Sequence, residues 1–180
     1  MSNALPFRFM AISERSVCPE PVPDRLNRLS RMGVPAVQIR DKSLEDRKRF
    51  EWIRQRENQE TLWLVNGRAD LALLGGLDGI HRPSSGVPLE DLVKIGGDDL
   101  LYGQSTHSLQ DVRRAFKRGA DYVLFGPVYP TPSKPNLARE DLPGLKGLDR
   151  VTDQVDGPVL ALGGIRPDRI PACRDAGADG

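Results

Sequence analysis

Seven short apolar runs, each followed by a segment of helical character, constrain the fold of this chain more than any other feature. The runs lack the polar alternation of half-exposed strands, as is typical of parallel strands that are covered on both faces. They predict strands at 7–13, 36–40, 61–65, 79–81, 100–105, 122–125 and 159–162. Alternating strands and helices indicate parallel strands with right-handed crossovers. We therefore predict an α/β fold, a TIM-type (β/α)8 barrel, with a doubly wound open sheet as the alternative.

The length of 180 residues is short for such a barrel, which usually has about 250 residues and at least about 200. The sequence ends at Gly177-Ala178-Asp179-Gly180, a turn of the kind that leads into a strand. We expect residues 1–180 to form a single (β/α) barrel domain that is C-terminally truncated and lacks the eighth strand and helix. Since a missing strand leaves two open edges, we expect such a product to be destabilised, oligomeric or swapped.

Three polar residues are predicted to cap helices. Asp24, Ser43 and Ser108 each precede a segment of helical periodicity, and their side chains can accept a hydrogen bond from a backbone N–H of the first turn. The last helix is predicted to run from about Pro167 to Ala176.

Composition excludes several classes of partner. A net charge of +1 indicates no general attraction to nucleic acid or to an acidic membrane, so any anion site must be local. Cys18 and Cys173 form neither a metal motif nor a redox motif and are predicted to be reduced structural thiols. No apolar run approaches the roughly 18 residues of a membrane span, and the N-terminus lacks a signal-peptide pattern. We expect a cytoplasmic protein.

Polar residues follow the predicted strands at the points where the strands end. In a barrel of parallel strands these positions share one face, where active sites are found. The set comprises Arg40, Lys42, Asn66, Arg68, His81, Ser105, His107, Thr131, Lys134 and Gly163-Gly164. Cations, an amide and hydroxyls at one mouth would form a phosphate or pyrophosphate site. Taken singly, each residue is also consistent with an ordinary surface position.

Two loops have the composition of an anion site. Prolines stiffen the loop after the sixth strand, which carries Thr131, Ser133 and Lys134. Gly163 and Gly164 can bring backbone N–H groups close to a phosphate at the start of the next helix. The alternatives are a solvated loop and a plain strand-to-helix turn.

His107 is the candidate for proton transfer. It follows a strand end between two hydroxyl residues, and an imidazole can exchange a proton near neutral pH. A structural histidine is the alternative. For His81, at the end of a short strand, the structural role is favoured. The residues suggest neither a nucleophilic triad nor a carboxylate cluster typical of a tight metal site.

Seven segments together resemble the thiamine phosphate synthase and TenI family of (β/α)8 barrels. They occur in family order from about residue 37 to residue 180 and cover most of the chain. The segments are Val37-Gln-Ile-Arg-Asp-Lys42, Asn66-Gly-Arg-Ala-Asp70, Asp78-Gly-Ile-His81, Gly103-Gln-Ser-Thr-His107, Gly119-Ala-Asp-Tyr122, Phe125-Gly-Pro-Val-Tyr-Pro-Thr-Pro-Ser-Lys134 and Ala161-Leu-Gly-Gly-Ile165.

For the synthase branch, the resemblance implies that a pyrimidine-methyl pyrophosphate loses pyrophosphate and that a thiazole phosphate captures the resulting cation. Mg²⁺ and fixed cations would stabilise the departing pyrophosphate. The residues that match pyrophosphate-binding positions are Arg40, Lys42, Asn66 and Lys134, with Ser105 and Thr131 nearby. Gln38 matches a pyrimidine contact and Gly164 a thiazole-phosphate contact.

The sequence departs from the synthase pattern where the metal is held. The family's Asn-Asp-Arg is Asn66-Gly67-Arg68 here, and His81 is followed by Arg82-Pro-Ser-Ser-Gly86 without the second aspartate. Because Mg²⁺ binds through carboxylates and substrate phosphates, we expect the loss of both aspartates to weaken metal-assisted departure of pyrophosphate.

The TenI branch needs no such metal, and the resemblance implies thiazole tautomerisation with a histidine at the His107 position as acid and base. We therefore predict a TenI-like protein that binds a thiazole phosphate without a cofactor, with Gly163, Gly164 and Lys134 helping to hold the phosphate. One alternative is a divergent thiamine phosphate synthase that uses Mg²⁺ and pyrimidine pyrophosphate. Another is a non-catalytic phosphate-ligand binder. A homodimer is expected from the resemblance alone.

Overall fold

A computed structural model describes residues 5–13, 22–41, 43–57, 60–134 and 137–180. The chain divides into two compact units, of which one is Pro6–Leu101 and the other includes Tyr102–Gly180. Lys42 and Cys18, for which the sequence made predictions, lie outside the described residues. Cys173 is a free, buried thiol, in agreement with a structural role.

The unit Pro6–Leu101 alternates four parallel strands with four helices. Its elements are β1 (Met10–Ile12), α1 (Val22–Arg31), β2 (Ala36–Ile39), α2 (Asp46–Arg54), β3 (Leu62–Asn66), α3 (Ala69–Gly75), β4 (Gly79–Arg82) and α4 (Leu89–Gly96). The strands pair in chain order, β1 with β2, β2 with β3 and β3 with β4. The carboxyl ends of consecutive strands therefore lie side by side.

The second unit continues the same alternation. Its elements are β5 (Leu101–Thr106), α5 (Leu109–Lys117), β6 (Tyr122–Phe125), α6 (Gly144–Thr152), β7 (Val159–Ala161) and α7 (Ile170–Asp175). β6 pairs in parallel with both β5 and β7. The described residues thus contain seven consecutive strand and helix pairs, which confirms the predicted α/β class.

The strands are buried because apolar side chains extend from both of their faces. Every residue of β2 and of β6 is buried, as expected for parallel strands with cover on both sides. In the second unit, Val112 of α5 and Leu148 and Val151 of α6 join Val123 and Phe125 of β6 in one apolar cluster. The core is therefore built from the apolar strand residues and the helix faces that pack on them.

Three turns that follow helices share the sequence Gly-apolar-Asp. In each, the aspartate carboxylate accepts a hydrogen bond from a backbone N–H of the preceding strand. The pairs are Asp78 with Trp63 (2.7 Å), Asp121 with Tyr102 (2.7 Å) and Asp179 with Val159 (2.8 Å). The backbone N–H of each aspartate donates to the carbonyl of the same partner. These turns hold the amino ends of the strands, away from the candidate site residues.

Two helices begin at other positions than predicted, and for one a local contact explains the difference. α1 begins at Val22, so Asp24 lies within its first turn rather than before it. α2 begins at Asp46 rather than after Ser43. Ser43 is held by Asp41, whose Oδ1 accepts hydrogen bonds from the Ser43 backbone N–H (2.8 Å) and hydroxyl (2.7 Å). This local turn competes with helix formation, as short polar side chains often do.

The other two predicted helix starts have different outcomes. Ser108 is the N-cap of α5, as predicted, and accepts a hydrogen bond from the Asp111 N–H at 3.1 Å. The last helix is split, since Pro167–Arg169 forms a 3-10 turn before α7. Within the described residues, no helix has the length and apolar character needed to cross a membrane.

Candidate functional site

In the unit Pro6–Leu101, three residues singled out by the sequence lie level at the carboxyl ends of adjacent strands. Asn66, the last residue of β3, is paired in register with His81 of β4. Arg40 directly follows Ile39 of β2, whose partner on β3 is Val65. The charge of Arg40 is close enough to act on His81. The structure therefore brings Arg40, Asn66 and His81 together.

His81 is a buried residue, only 1% exposed to solvent. Burial, with a smaller effect from the positive charge of Arg40, lowers the pKa of His81 to about 3. The imidazole therefore stays neutral near neutral pH and is a poor proton carrier there. These properties agree with the structural role that the sequence favoured for His81.

Gln38 lies within β2 and is 1% exposed. Its Nε2 has no hydrogen-bond partner among the residues that the structure describes. A buried amide nitrogen without a partner costs about 1–3 kcal/mol. A ligand atom that accepts a hydrogen bond from Nε2 would remove this penalty, which supports the predicted binding role of Gln38.

Two arginines of this unit bind backbone carbonyls of the loops that follow the strands. Arg49 of α2 donates to the carbonyls of Asp41 at 2.6 Å and Leu44 at 3.1 Å, after β2. Arg82 donates to three carbonyls after β4, those of Val87 (2.7 Å), Gly86 (2.8 Å) and Ser84 (3.1 Å). Both guanidinium groups therefore fix the shape of a loop.

The guanidinium group of Arg68 is bound to two carboxylates. Its Nε and Nη2 bind the Asp70 carboxylate at 2.9 and 2.5 Å, and Nη1 forms an ion pair with Asp46. These contacts, with Asp70 foremost, raise the pKa of Arg68 above its ordinary value, and Arg68 in turn lowers the pKa of Asp70. The carboxylates of Asp46 and Asp70 are thus both paired with one arginine.

The residues after β3 and β4 do not fit a magnesium ion. Gly67, with a φ of 71°, occupies the position where the synthase pattern has its first aspartate. The segment 83–88 after β4 contains no carboxylate. The described residues also contain no group of three or more His, Cys, Asp or Glu side chains suited to a metal. Mg²⁺ prefers six oxygen ligands that include carboxylates, and these loops do not supply them.

In the second unit, His107 is held in one tautomer. It follows β5, is exposed, and places Nδ1 2.5 Å from the carbonyl oxygen of Gly126. Because a carbonyl oxygen only accepts hydrogen bonds, Nδ1 must carry the hydrogen, and Nε2 of the neutral ring is then the acceptor. The ring therefore offers Nε2 as the atom that can take up a proton.

Lys134 lies on the Nε2 side of His107. Its Nζ is 3.4 Å from His107 Nε2, and since an ammonium only donates hydrogen bonds, the contact agrees with this tautomer. Lys134 also borders a cavity of about 230 Å³, whose other lining residues are Pro127, Pro130, Thr131, Pro132, Leu137 and Leu142. The structure therefore brings His107 and Lys134 into contact and places Thr131 on the same cavity as Lys134.

The hydroxyls that flank His107 in sequence serve the fold. Thr106 is buried and donates to the carbonyl of Leu124 on β6 at 3.2 Å. Ser108 caps α5. Ser105, on β5, is half-buried opposite Leu124 and stays a predicted ligand contact.

Gly163 and Gly164 form a turn after β7 in which both residues have positive φ, 99° and 62°. A side chain at position 164 would collide with the carbonyl oxygen of Pro130, and one at position 163 with Pro127. The Tyr129 N–H donates to the Gly163 carbonyl at 3.0 Å. Only glycine fits this close approach between the loops after β6 and β7.

Two arginines that the sequence analysis did not single out lie beside this turn. Arg169 donates from Nη1 to the Gly164 carbonyl at 2.6 Å, and Arg166 is exposed. Both border a cavity of about 360 Å³, with Pro130, Pro132, Gly164 and Ile165 as the other lining residues. Their position in the sequence could have indicated them. Arg166 directly follows Gly163-Gly164-Ile165, and Arg169 comes three residues later.

Comparisons with the sequences of known proteins all indicate the same family. The family described as TMP-TENI, thiamine monophosphate synthase, matches residues 9–180. A putative thiamine-phosphate synthase 2 of Aquifex aeolicus is 35% identical over 177 residues, which are 96% of this chain and 93% of that protein. A putative thiamine-phosphate synthase of Geobacter sulfurreducens is 38% identical over 152 residues, or 82% of this chain and 70% of that protein.

The comparison with solved structures gives the same result. A thiamine phosphate pyrophosphorylase from Pyrococcus furiosus superposes with a TM-score of 0.81 at 29% sequence identity. The match covers 95% of this chain and 82% of that one. This likeness confirms the fold class that the strand and helix alternation predicted, that of the TIM-type barrels.

Proposed function

Because the chain belongs to the thiamine monophosphate synthase family, we propose that it is a TenI-like thiazole tautomerase with His107 as its catalytic residue. Its ligand is a thiazole phosphate of thiamine biosynthesis. The observation that carries the proposal is the orientation of His107. Nδ1 is bound to Gly126 at 2.5 Å, and Nε2 is left as a proton acceptor in a solvent-accessible position.

Tautomerisation moves one proton within the ligand and changes neither its composition nor its redox state. Nε2 of His107 takes a proton from a carbon of the thiazole ring, and the resulting imidazolium returns a proton at a second ligand atom. The Nδ1–H bond to Gly126 is kept in both protonation states, so the ring does not have to turn. The Lys134 ammonium, 3.4 Å from Nε2, stabilises negative charge that builds up on the ligand.

Two further features support the isomerase over the synthase. The loops after β3 and β4 lack the carboxylates that would hold Mg²⁺, and an arginine pairs with Asp46 and Asp70 nearby. A proton transfer by His107 needs no such metal. Direct ligand contacts stay predictions for Gln38, Arg40, Lys42, Asn66, Ser105 and Thr131, as does phosphate binding by Gly163 and Gly164.

The test is conversion of a thiazole carboxylate phosphate to its isomer in deuterated water, followed by NMR. His107→Gln is expected to lower kcat by at least about a hundredfold, the usual contribution of a general acid and base, with ligand affinity nearly unchanged. Lys134→Ala is expected to lower kcat less. Lys117→Ala, which removes an exposed lysine from α5, is the charge-matched control and should leave turnover intact. Undiminished turnover in His107→Gln would remove His107 from the mechanism.

The second candidate is a thiamine phosphate synthase, which the names of the curated relatives favour. Its test is formation of thiamine phosphate and pyrophosphate from pyrimidine pyrophosphate and thiazole phosphate with Mg²⁺. Product formation that Lys134→Ala abolishes would replace the isomerase proposal. Tight binding of thiazole phosphate without either reaction would indicate a non-catalytic binder.

A further inference from the structure

Charged side chains connect two loops of the unit Pro6–Leu101. One loop follows β2 and leads to Asp46, the first residue of α2, and the other follows β3 and consists of Gly67 and Arg68. The Asp46 carboxylate binds an arginine on each side. Its Oδ1 accepts a hydrogen bond from Arg49 Nη1 at 2.8 Å, and its Oδ2 forms an ion pair with Arg68 Nη1. Asp46 therefore joins the two loops.

Both arginines have further partners in the loops that they join. The Arg49 side chain is only 12% exposed, and its Nη2 donates to the carbonyls of Asp41 at 2.6 Å and Leu44 at 3.1 Å. Arg68 forms two hydrogen bonds with the carboxylate of Asp70, in the first turn of α3. A guanidinium group is planar and its donors have fixed directions, so contacts on two sides determine its orientation. The connection thus runs without a gap from the backbone of the first loop to the start of α3.

The two joined loops adjoin residues that are predicted to bind the ligand. Arg40 directly precedes Asp41, whose carbonyl Arg49 binds, and Asn66 lies two positions before Arg68. The parallel register of β2 and β3 places these two predicted contacts level with each other. Because hydrogen bonds weaken steeply outside a narrow range of length and angle, the spacing of the two side chains decides how well they bind one anion.

We propose that Asp46 is a positioning residue, which holds the loops after β2 and β3 at the spacing that Arg40 and Asn66 need to bind an anionic group. The ligand role of Arg40 and Asn66 rests on the proposed function, whereas the connection through Asp46 consists of protein contacts alone. Asp46 is exposed, so its ion pairs add little to stability, and its effect is expected on ligand affinity.

The direction of the effect separates positioning from simple electrostatics. A carboxylate repels a nearby anion, so removal of its charge raises the anion affinity where charge alone acts. Asn at position 46 has the same size but only one acceptor oxygen, so it cannot bind both arginines as acceptors. The two loops then move independently, and the anion affinity falls. The two explanations therefore predict opposite changes for Asp46→Asn.

The test measures the binding of inorganic pyrophosphate to the full chain without added metal. Pyrophosphate is titrated into ¹⁵N-labelled protein while the Asn66 side-chain amide and the Gly67 backbone amide are followed by NMR. Asp46→Asn is expected to weaken the affinity about fivefold or more, the size of a typical coupling between two sites. Asp46→Glu keeps both acceptor oxygens and should restore most of the affinity. Arg40→Ala should weaken pyrophosphate binding at these two amides.

Glu45→Gln is the matched control because it removes the same charge from the exposed residue before Asp46. Within the described residues the Glu45 side chain caps no helix N–H and forms no ion pair. The affinity should therefore stay unchanged or rise slightly. The free energy of unfolding of Asp46→Asn, measured with urea, should stay close to that of Glu45→Gln.

A double-mutant cycle tests whether Asp46 and Arg68 act through the same connection. Asp46→Asn combined with Arg68→Gln should weaken pyrophosphate binding no more than the stronger single change, because either change breaks the connection. Additive losses would contradict a shared connection.

Unchanged or raised affinity in Asp46→Asn would overturn the positioning role, and so would an equal loss in Glu45→Gln. Full affinity in Arg40→Ala would show that the joined loops do not bind the anion. None of these readouts requires turnover. A protein without tautomerase activity can therefore still confirm the role of Asp46, and an active one can still refute it.

Discussion

The loops after β2–β4 and those after β6–β7 use their cations differently. In the first group, Arg49 and Arg82 bind backbone carbonyls of their own loops, and Arg68 binds two carboxylates. In the second group, Lys134 contacts a histidine side chain at a cavity, and Arg166 borders another cavity without a described protein partner.

The difference shows that a position at the end of a strand does not by itself determine what a cationic side chain binds. Where carbonyl or carboxylate oxygens lie at hydrogen-bond distance, the guanidinium binds them and stabilises a loop. Each of these charge-assisted hydrogen bonds favours the folded state. At Arg166, no oxygen of the described residues binds the guanidinium, and a ligand oxygen can take that place. The predictions below test this distinction.

The largest expected effect is that of Gly164→Ala, with Gly67→Ala as its counterpart in the other group of loops. Both residues have positive φ, which costs an alanine about 1–2 kcal/mol. At position 164 the new Cβ also collides with the Pro130 carbonyl, whereas at position 67 the nearest atom is Pro83 Cδ at 3.3 Å. We expect a loss of about 3 kcal/mol or more for Gly164→Ala by urea denaturation. Equal losses would refute the close approach of the two loops.

The second prediction compares Arg82→Ala with Arg166→Ala. Arg82 donates to three carbonyls, so its loss should lower the free energy of unfolding by about 2 kcal/mol. Arg166→Ala should lower it by less than about 0.5 kcal/mol, as is usual for a surface side chain. Chemical denaturation of both variants measures the contrast. A strongly destabilised Arg166→Ala would place Arg166 among the loop-holding arginines.

The third prediction concerns the dependence of stability on pH through the buried His81. The pKa of buried His81 is about 3 in the folded protein, against 6.5 for an unperturbed imidazole. Above pH 6.5 the imidazole is neutral in both states, and the neutral, buried His81 makes its full contribution to the free energy of unfolding. As the pH falls from 6.5 towards 3, only the unfolded chain takes up a proton at this residue, so this contribution is lost. Between pH 7 and pH 5 the loss should be about 2 kcal/mol.

Urea titrations at several pH values check this dependence. A His81→Gln variant, although less stable, should show a flatter profile between pH 7 and pH 5. An equally steep profile in His81→Gln would contradict the buried, neutral state of His81.

The smallest expected effect is that of Arg68→Ala. Although Arg68 binds both Asp46 and Asp70, all three side chains are partly exposed, and exposed ion pairs contribute about 1 kcal/mol or less. The loss of stability should shrink further in about 1 M salt, which screens such pairs. A salt-independent loss as large as that of Arg82→Ala would show that the carboxylate contacts hold the loop as firmly as the carbonyl contacts do.

The order of strands and helices could be predicted from sequence because it depends on local periodicity. Continuous apolar runs such as Tyr122–Phe125 are buried on both faces, and Ser108 caps its helix as its side chain allows. Ser43 was mispredicted because a nearby carboxylate, Asp41, competes for the same groups. A capping residue can be recognised from sequence, but its choice between two partners depends on geometry.

For the site, sequence alone determined which residue types stand at the strand ends, including His107, Lys134 and the Gly163-Gly164 pair. Tertiary structure decided how they are used. The tautomer of His107 depends on the Gly126 carbonyl, which lies 19 positions along the chain, and the roles of Arg166 and Arg169 depend on a loop about 35 positions earlier. Hydrogen bonds and charges act over a few ångströms of space, whatever the separation in sequence, so only the folded chain reveals which cations are bound within the protein.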